Sequence, residues 1–230
     1  MSDALLAWIR QLDFSFLTNT LMILLASLFC ITVHECSHGL AAYWMGDRTA
    51  KHQGRLILNP IRHVDPMGLL LMAIARFGWA RPVPVNMNNF SKPRLGMALT
   101  ALAGPVSNIL FAFLALLVRG GLMLLLSEVQ STQWLLIVIE FLAYLVILNC
   151  GLAVFNLLPI PPLDGSKVLA AFLPVGLHRW LMRFERYGMI VLAVVLLTNL
   201  LDSPLFYLRS TLLSVLERGS IYLISLLCNI

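Results

Sequence analysis

The 230 residues are 60% hydrophobic and 12% charged, with a mean hydropathy of +0.87. A soluble globular domain carries roughly 25% charged residues, so this composition points to a membrane protein. The net charge of +5 would suit nucleic acid or anionic lipid, but the basic residues are distributed as in the loops of a membrane protein, and no nucleic-acid partner is expected.

The first apolar run, Thr18 to Thr32, lacks an upstream basic cluster and a small-residue cleavage site. It is expected to persist as a span of the mature protein, with the lipid bilayer as its surroundings. A span takes about 20 mostly apolar residues. Residues 17 to 45, 95 to 126 and 134 to 158 satisfy that length, and Asp202-Ser203-Pro204 divides a C-terminal region from 187 to 228 into two shorter helices. Between the first two spans, residues 67 to 79 offer only about a dozen apolar positions before Arg81, too few to cross comfortably. A re-entrant or interfacial segment is expected there. Residues 47 to 66 and 80 to 94 are rich in Pro, Gly, Asn and Arg and favour turns and extended edges. A turn at Gln53-Gly54, with Leu56 and Leu58 alternating behind it, is a hairpin signal. The expected fold is an all-α polytopic membrane protein of about five transmembrane helices, one re-entrant or interfacial segment and a small extended or hairpin element. Residues 1–230 are expected to form a single membrane-embedded domain, with a catalytic core over 17–170 and C-terminal helices over 187–228.

Charge placement sets the expected orientation. Arg48, Lys51, Arg55, Arg62, Arg76, Arg81, Lys92 and Arg94 form one basic stretch, and Lys167, Arg179, Arg183 and Arg186 a second. If residues 67 to 79 do not cross, both stretches face the cytoplasm, as the positive-inside rule favours. Cys30, Cys36, Cys150 and Cys228 are scattered through apolar segments without paired spacing, and read as small core residues. His52, His63 and His178 lie in the basic loops without metal spacing and read as interfacial.

The chemistry concentrates at His34-Glu35-Cys36-Ser37-His38. Four residues advance a helix by one turn plus about 40°, so both imidazoles leave one face and can grip one metal ion. Glu35 lies about 100° round from His34, badly placed as a ligand but able to reach a water beside the ion. The motif follows an apolar run, where ionisable residues are costly and functional by default. A catalytic zinc usually has three protein ligands. The segment from Asn156 to Gly165 ends the third span, its prolines break the helix, and Asp164 is its one acidic residue. The topology puts Asp164 and the histidine pair on the same side, so the three can meet. Asn108 and Asn156 each place an amide within or at the end of an apolar helix. Either helix-helix hydrogen bonding or donation to a developing oxyanion accounts for such an amide.

These motifs resemble the site-2 protease family of intramembrane zinc metalloproteases, in particular its compact members without a PDZ insertion. The resemblance rests on His34-Glu35-x-x-His38 and on Asn156-x-x-Pro159 leading to Leu163-Asp164-Gly165. It extends to residues 54–60, to Asp65-Pro66-x-Gly68, to residues 81–86 and to Ala103-Gly104-Pro105-x-x-Asn108. It implies one Zn2+ per chain held by His34, His38 and Asp164, with Glu35 as catalytic base and Asn108 and Asn156 as oxyanion donors. It implies a transmembrane-protein or membrane-peptide substrate already trimmed by another protease, and a bacterial cytoplasmic membrane with the site toward the cytoplasm. Because a helix hides its carbonyls, the substrate must unwind at the cut, and residues 49–60 and 81–90 could take it as an added strand. Two other readings use the same ligands, a membrane metal transporter without hydrolysis and a non-haem iron enzyme; a third, a different membrane metalloprotease family, would take a Glu as its third ligand.

Overall fold

The computed structural model describes the backbone of residues 15–68, 70, 81–128 and 133–228, and side chains over a slightly narrower set. Among these residues the protein is helical, with no strand. The helices are α1 (Ser15–Trp44), α2 (Thr49–His52), α3 (Pro93–Glu128), α4 (Gln133–Asn156), α5 (Asp164–Phe172), α6 (Val175–Leu197) and α7 (Asp202–Cys228), with short 3-10 turns at Pro60–Arg62 and Met87–Asn89.

Among the described residues, four helices are long and apolar enough to cross a membrane: Leu17–Trp44, Pro93–Leu124, Gln133–Asn156 and Asp202–Leu227. The chain is thus an integral membrane protein. Its bundle core is built from small residues, Ala26, Cys30, Ala112, Ala115 and Cys150, with Leu116, Leu145 and Val146. Lipid supplies no hydrophobic drive between helices, so close approach over small side chains holds such a bundle together. Leu17, Leu21, Leu25 and Phe29 form an exposed stripe on the outer face of α1, where acyl chains would cover them.

Two expectations are not matched among the described residues. The C-terminal region does break at Asp202, but the segment before it supplies no fifth crossing of sufficient apolarity. Its helix, α6, begins twelve residues earlier than expected and carries Arg179, Arg183, Glu185 and Arg186 in its first half. Only about eleven apolar residues then remain, roughly 16 Å of helix against a hydrocarbon core of about 30 Å. Both its ends also lie at the same end of the bundle. His178 Nδ1 is 2.9 Å from Ala170 O of α5, and Asp202, just beyond α6, shares a cavity with Val154 and Phe155 near the end of α4.

The hairpin is likewise replaced. Residues 49–52 form a helical turn, because Asp47 Oδ1 accepts from Thr49 N at 3.0 Å and from Thr49 Oγ1 at 2.5 Å. The turn at Gln53-Gly54 does form, with Gly54 at φ +63. Most of the expected re-entrant segment, residues 67–79, lies outside the described residues. α1 ends at Gly46, φ +107, where Gly46 N donates to Tyr43 O and Asp47 N to Ala42 O, the paired bonds of a glycine-terminated helix.

Candidate metal centre

α1 carries His34 and His38 in its second half, on the face that packs against α3. Their ring centroids are 4.5 Å apart and the rings nearly perpendicular at 89°. After α4 the chain passes through residues 157–163 and starts α5 at Asp164, which brings that carboxylate back to α1. Asp164 Oδ2 lies 3.1 Å from His34 Nε2 and 3.2 Å from His38 Nε2, and the two Nε2 atoms are 3.0 Å apart. All three residues are buried. Two zinc bonds of about 2.05 Å at the tetrahedral angle set ligand atoms about 3.3 Å apart. The observed triangle matches that spacing closely, and two imidazoles with one carboxylate is a donor set that catalytic zinc uses with a fourth position open. Among the described residues this is the one group of three or more such side chains that could hold a metal ion.

Each imidazole is oriented from behind. Asn108 Oδ1 lies 3.3 Å from His34 Nδ1, and Thr100 O lies 2.7 Å from His38 Nδ1. With Nδ1–H donated backward, each ring turns a bare Nε2 toward the common point. Asn108 is fully buried, and its Nδ2 has no partner. Burial alone would raise the Asp164 carboxyl, but hydrogen bonds from His34 and His38 outweigh it and hold the group well below the usual carboxylate range. Asp164 is therefore ionised, as a ligand must be.

A cavity of about 400 Å³ opens over this triangle. Glu35, Asn156, Lys167 and Glu185 line it beside the histidines and Asp164. Glu35 is half-buried, and its Oε2 accepts the backbone N–H of Val83 at 2.8 Å. Asn156 Nδ2 donates to Leu152 O at 3.0 Å, leaving a second amide hydrogen on the cavity wall. Lys167 Nζ is 3.8 Å from Asp164 Oδ1. The structure thus brings His34, Glu35, His38, Asp164 and Asn156 to one cavity, whereas Asn108 stands behind His34 and is not part of its lining.

Residues 81–86, expected to be extended, form neither helix nor strand where they pass the cavity. The supports behind them were not read from the sequence. Arg55, expected in a basic stretch facing the cytoplasm, is buried and donates to Arg62 O, to Arg81 O at 2.7 Å and to Pro82 O at 3.2 Å, while Arg81 N donates to His63 O at 2.9 Å. These bonds tie the two loops together immediately before Val83. His63, expected at the interface, is fully buried with Nε2 2.8 Å from Ile57 O. Gly104 faces the triangle of the two imidazoles and Asp164: a Cβ there would stand 2.5 Å from His38 Nε2 and 2.6 Å from His34 Cε1. Asp47 is fully buried, and Asn86 N and Asn89 Nδ2 both donate to it at 2.7 Å, which moors the segment after the extended run to the end of α1.

Comparison with known proteins gives consistent matches. Residues 120–199 match the model of Peptidase family M50, a stretch that includes residues 156 to 164. YwhC of Bacillus subtilis, named as a zinc metalloprotease, is 44% identical over 173 residues, covering 74% of this chain and 77% of that protein. Rip2 of Mycobacterium tuberculosis, similarly named, is 30% identical over 189 residues, covering 80% of this chain and 70% of that one. Rip2 of Mycolicibacterium smegmatis is 29% identical over 210 residues, covering 88% and 78%. No solved structure matches at a significant level.

Proposed function

The chain belongs to peptidase family M50, the site-2 proteases, as an intramembrane zinc metalloprotease, and from that premise we propose that His34, His38 and Asp164 hold one zinc ion while Glu35 is the catalytic base. The observation that carries the assignment is the 3.0 to 3.2 Å triangle of Nε2, Nε2 and Oδ2 beside the Glu35 carboxylate in one cavity.

Zinc, when bound, supplies Lewis acidity that polarises the scissile carbonyl and acidifies water. Glu35 takes a proton from the attacking water at its carboxylate and returns it to the leaving amine nitrogen. Asn156, with a hydrogen to spare on the cavity wall, donates to the carbonyl oxygen as negative charge builds there. Asn108 acts through His34, fixing its tautomer and direction. Residues 81–86, through Val83 and Val85 on the cavity wall, guide an unwound substrate segment. The helical turn at Thr49–His52 takes no part in such strand pairing.

The substrate class is a transmembrane protein already shortened by another protease. The site lies at the end of the bundle that carries Lys92, Arg94 and Lys167; the positive-inside rule favours a cytoplasmic side for that end, and the bacterial relatives support an inner-membrane location. The test compares membrane peptides cleaved by the native protein and by Glu35→Gln, with metal content measured in both. Full metal and no cleavage in the variant is the expected result; undiminished cleavage removes Glu35 as the base.

A further inference from the structure

α6 presents two different faces. Leu181, Gly188 and Leu192 are buried on the inner side. A Cβ at Gly188 would stand 2.7 Å from the Pro161 carbonyl carbon, so α6 lies directly against the proline-rich segment before Asp164. Met182 and Glu185 line the catalytic cavity. The helix is therefore part of the roof of the site, and its one carboxylate, Glu185, is turned into the cavity.

The outer face carries Arg179, Arg183 and Arg186, all exposed, interleaved with Trp180 at 59% and Tyr187 at 50% exposure. Trp180 stacks on Phe184 with centroids 5.3 Å apart, and the Arg186 guanidinium sits 5.3 Å from the Tyr187 ring centroid. Among the described residues none of the three arginines meets a carboxylate. Farther along the same face, Ile190, Val194 and Leu197 are exposed. Arginines and aromatic rings followed by an apolar stripe suit a helix whose first half lies at headgroup level and whose second half meets acyl chains. The neighbouring start of α3 supports that depth: Arg94 Nη1 donates to Leu173 O, just before α6.

We infer that α6 is an anionic-lipid-binding roof, whose Arg179, Arg183 and Arg186 hold negatively charged headgroups and thereby set the position of Met182 and Glu185 over the cavity. Phosphatidylglycerol-like headgroups complement the uncompensated charge, each arginine favouring them by about fivefold. The link to the cavity rests on the protease reading; the lipid site itself does not.

The test uses the full chain, native and R179Q/R183Q/R186Q, with Glu35→Gln as a third sample. Each is reconstituted into vesicles of phosphatidylcholine alone or of equal parts phosphatidylcholine and phosphatidylglycerol. Retained lipid is measured by native mass spectrometry after extraction, and peptide cleavage in the vesicles. Native protein and Glu35→Gln should both retain phosphatidylglycerol over phosphatidylcholine by about fivefold or more, and the triple variant should show no preference. Cleavage by the native protein should rise severalfold with phosphatidylglycerol, and that of the triple variant should not. Equal retention of the two lipids by native protein, an unchanged preference in the triple variant, or a lipid-independent native rate overturns the proposal. Lipid preference without cleavage by any sample points instead to failure of the protease assignment, since Glu35→Gln reports the lipid site alone.

Discussion

The backbone N–H of Val83 donates to Glu35 Oε2 at 2.8 Å, so the carboxylate next to the proposed metal-ligand pair is tethered to chain 48 residues away. The bond leaves Oε1 to meet water and fixes which way the carboxylate faces. Hydrogen bonds to a charged group contribute about 1.5–3 kcal/mol. Val83→Pro keeps an extended backbone between two existing prolines but removes the donor. It should lower kcat about 10- to 100-fold with metal content unchanged. An unaltered kcat, measured on a membrane peptide, would leave the tether without a catalytic role.

The same contact shows where sequence reading stopped. His34, Glu35, His38 and Asp164 were legible because their side-chain chemistry and spacing carry the signal. Val83 N–H and Thr100 O are backbone groups, and any residue type could supply them. Residues 49–52 read as extended because Gln53-Gly54 looked like a hairpin turn; the buried Asp47 carboxylate instead gathers the Thr49 donors and starts a helical turn. The apolar second half of α6 suggests a span when taken alone; joined to its arginine-bearing first half it is one amphipathic helix.

Asn108 offers a test that separates two roles. Its Oδ1 faces His34 Nδ1 at 3.3 Å, the position of a group that orients a metal ligand. Asn108→Leu, similar in volume, should weaken zinc affinity about 10- to 100-fold, read by competition with a chelator. Asn108→Asp, which keeps an acceptor oxygen, should recover most of that affinity. If Asn108 were instead an oxyanion donor, Asn108→Leu would bind zinc normally and lose about 10²- to 10³-fold in kcat.

Asp47 predicts an acid-dependent weakness at the base of the site. Burial would raise its carboxyl, but hydrogen bonds from Thr49, Asn86 and Asn89 outweigh it and place the group below the usual carboxylate range. A carboxylate depressed in the folded state stabilises the protein fully above its unfolded pKa of about 3.9, and that contribution is lost as pH falls through the lower folded value. Asp47→Asn should therefore melt below the native protein at pH 6, with the gap narrowing progressively below about pH 4. A gap that stays constant down to pH 3 would mean that the charge contributes nothing and only the shape of the side chain matters.

Gly104 sets two effects of opposite sign against each other. It lies within α3, where alanine is intrinsically favoured over glycine by about 1 kcal/mol. Yet the added methyl would stand 2.5 Å from the His38 ring and 2.6 Å from that of His34. Both rings are held from behind by Thr100 O and Asn108 Oδ1, so neither retreats without giving up its hydrogen bond. Because such an overlap costs about 1–3 kcal/mol, more than the helical gain, Gly104→Ala should lower the melting temperature of the metal-free protein and cut zinc content and cleavage together, as measured by thermal melting, elemental analysis and peptide assay. Full zinc occupancy in this variant would show that the histidine pair has slack that the packed geometry denies, and the requirement for glycine at this position would lose its explanation.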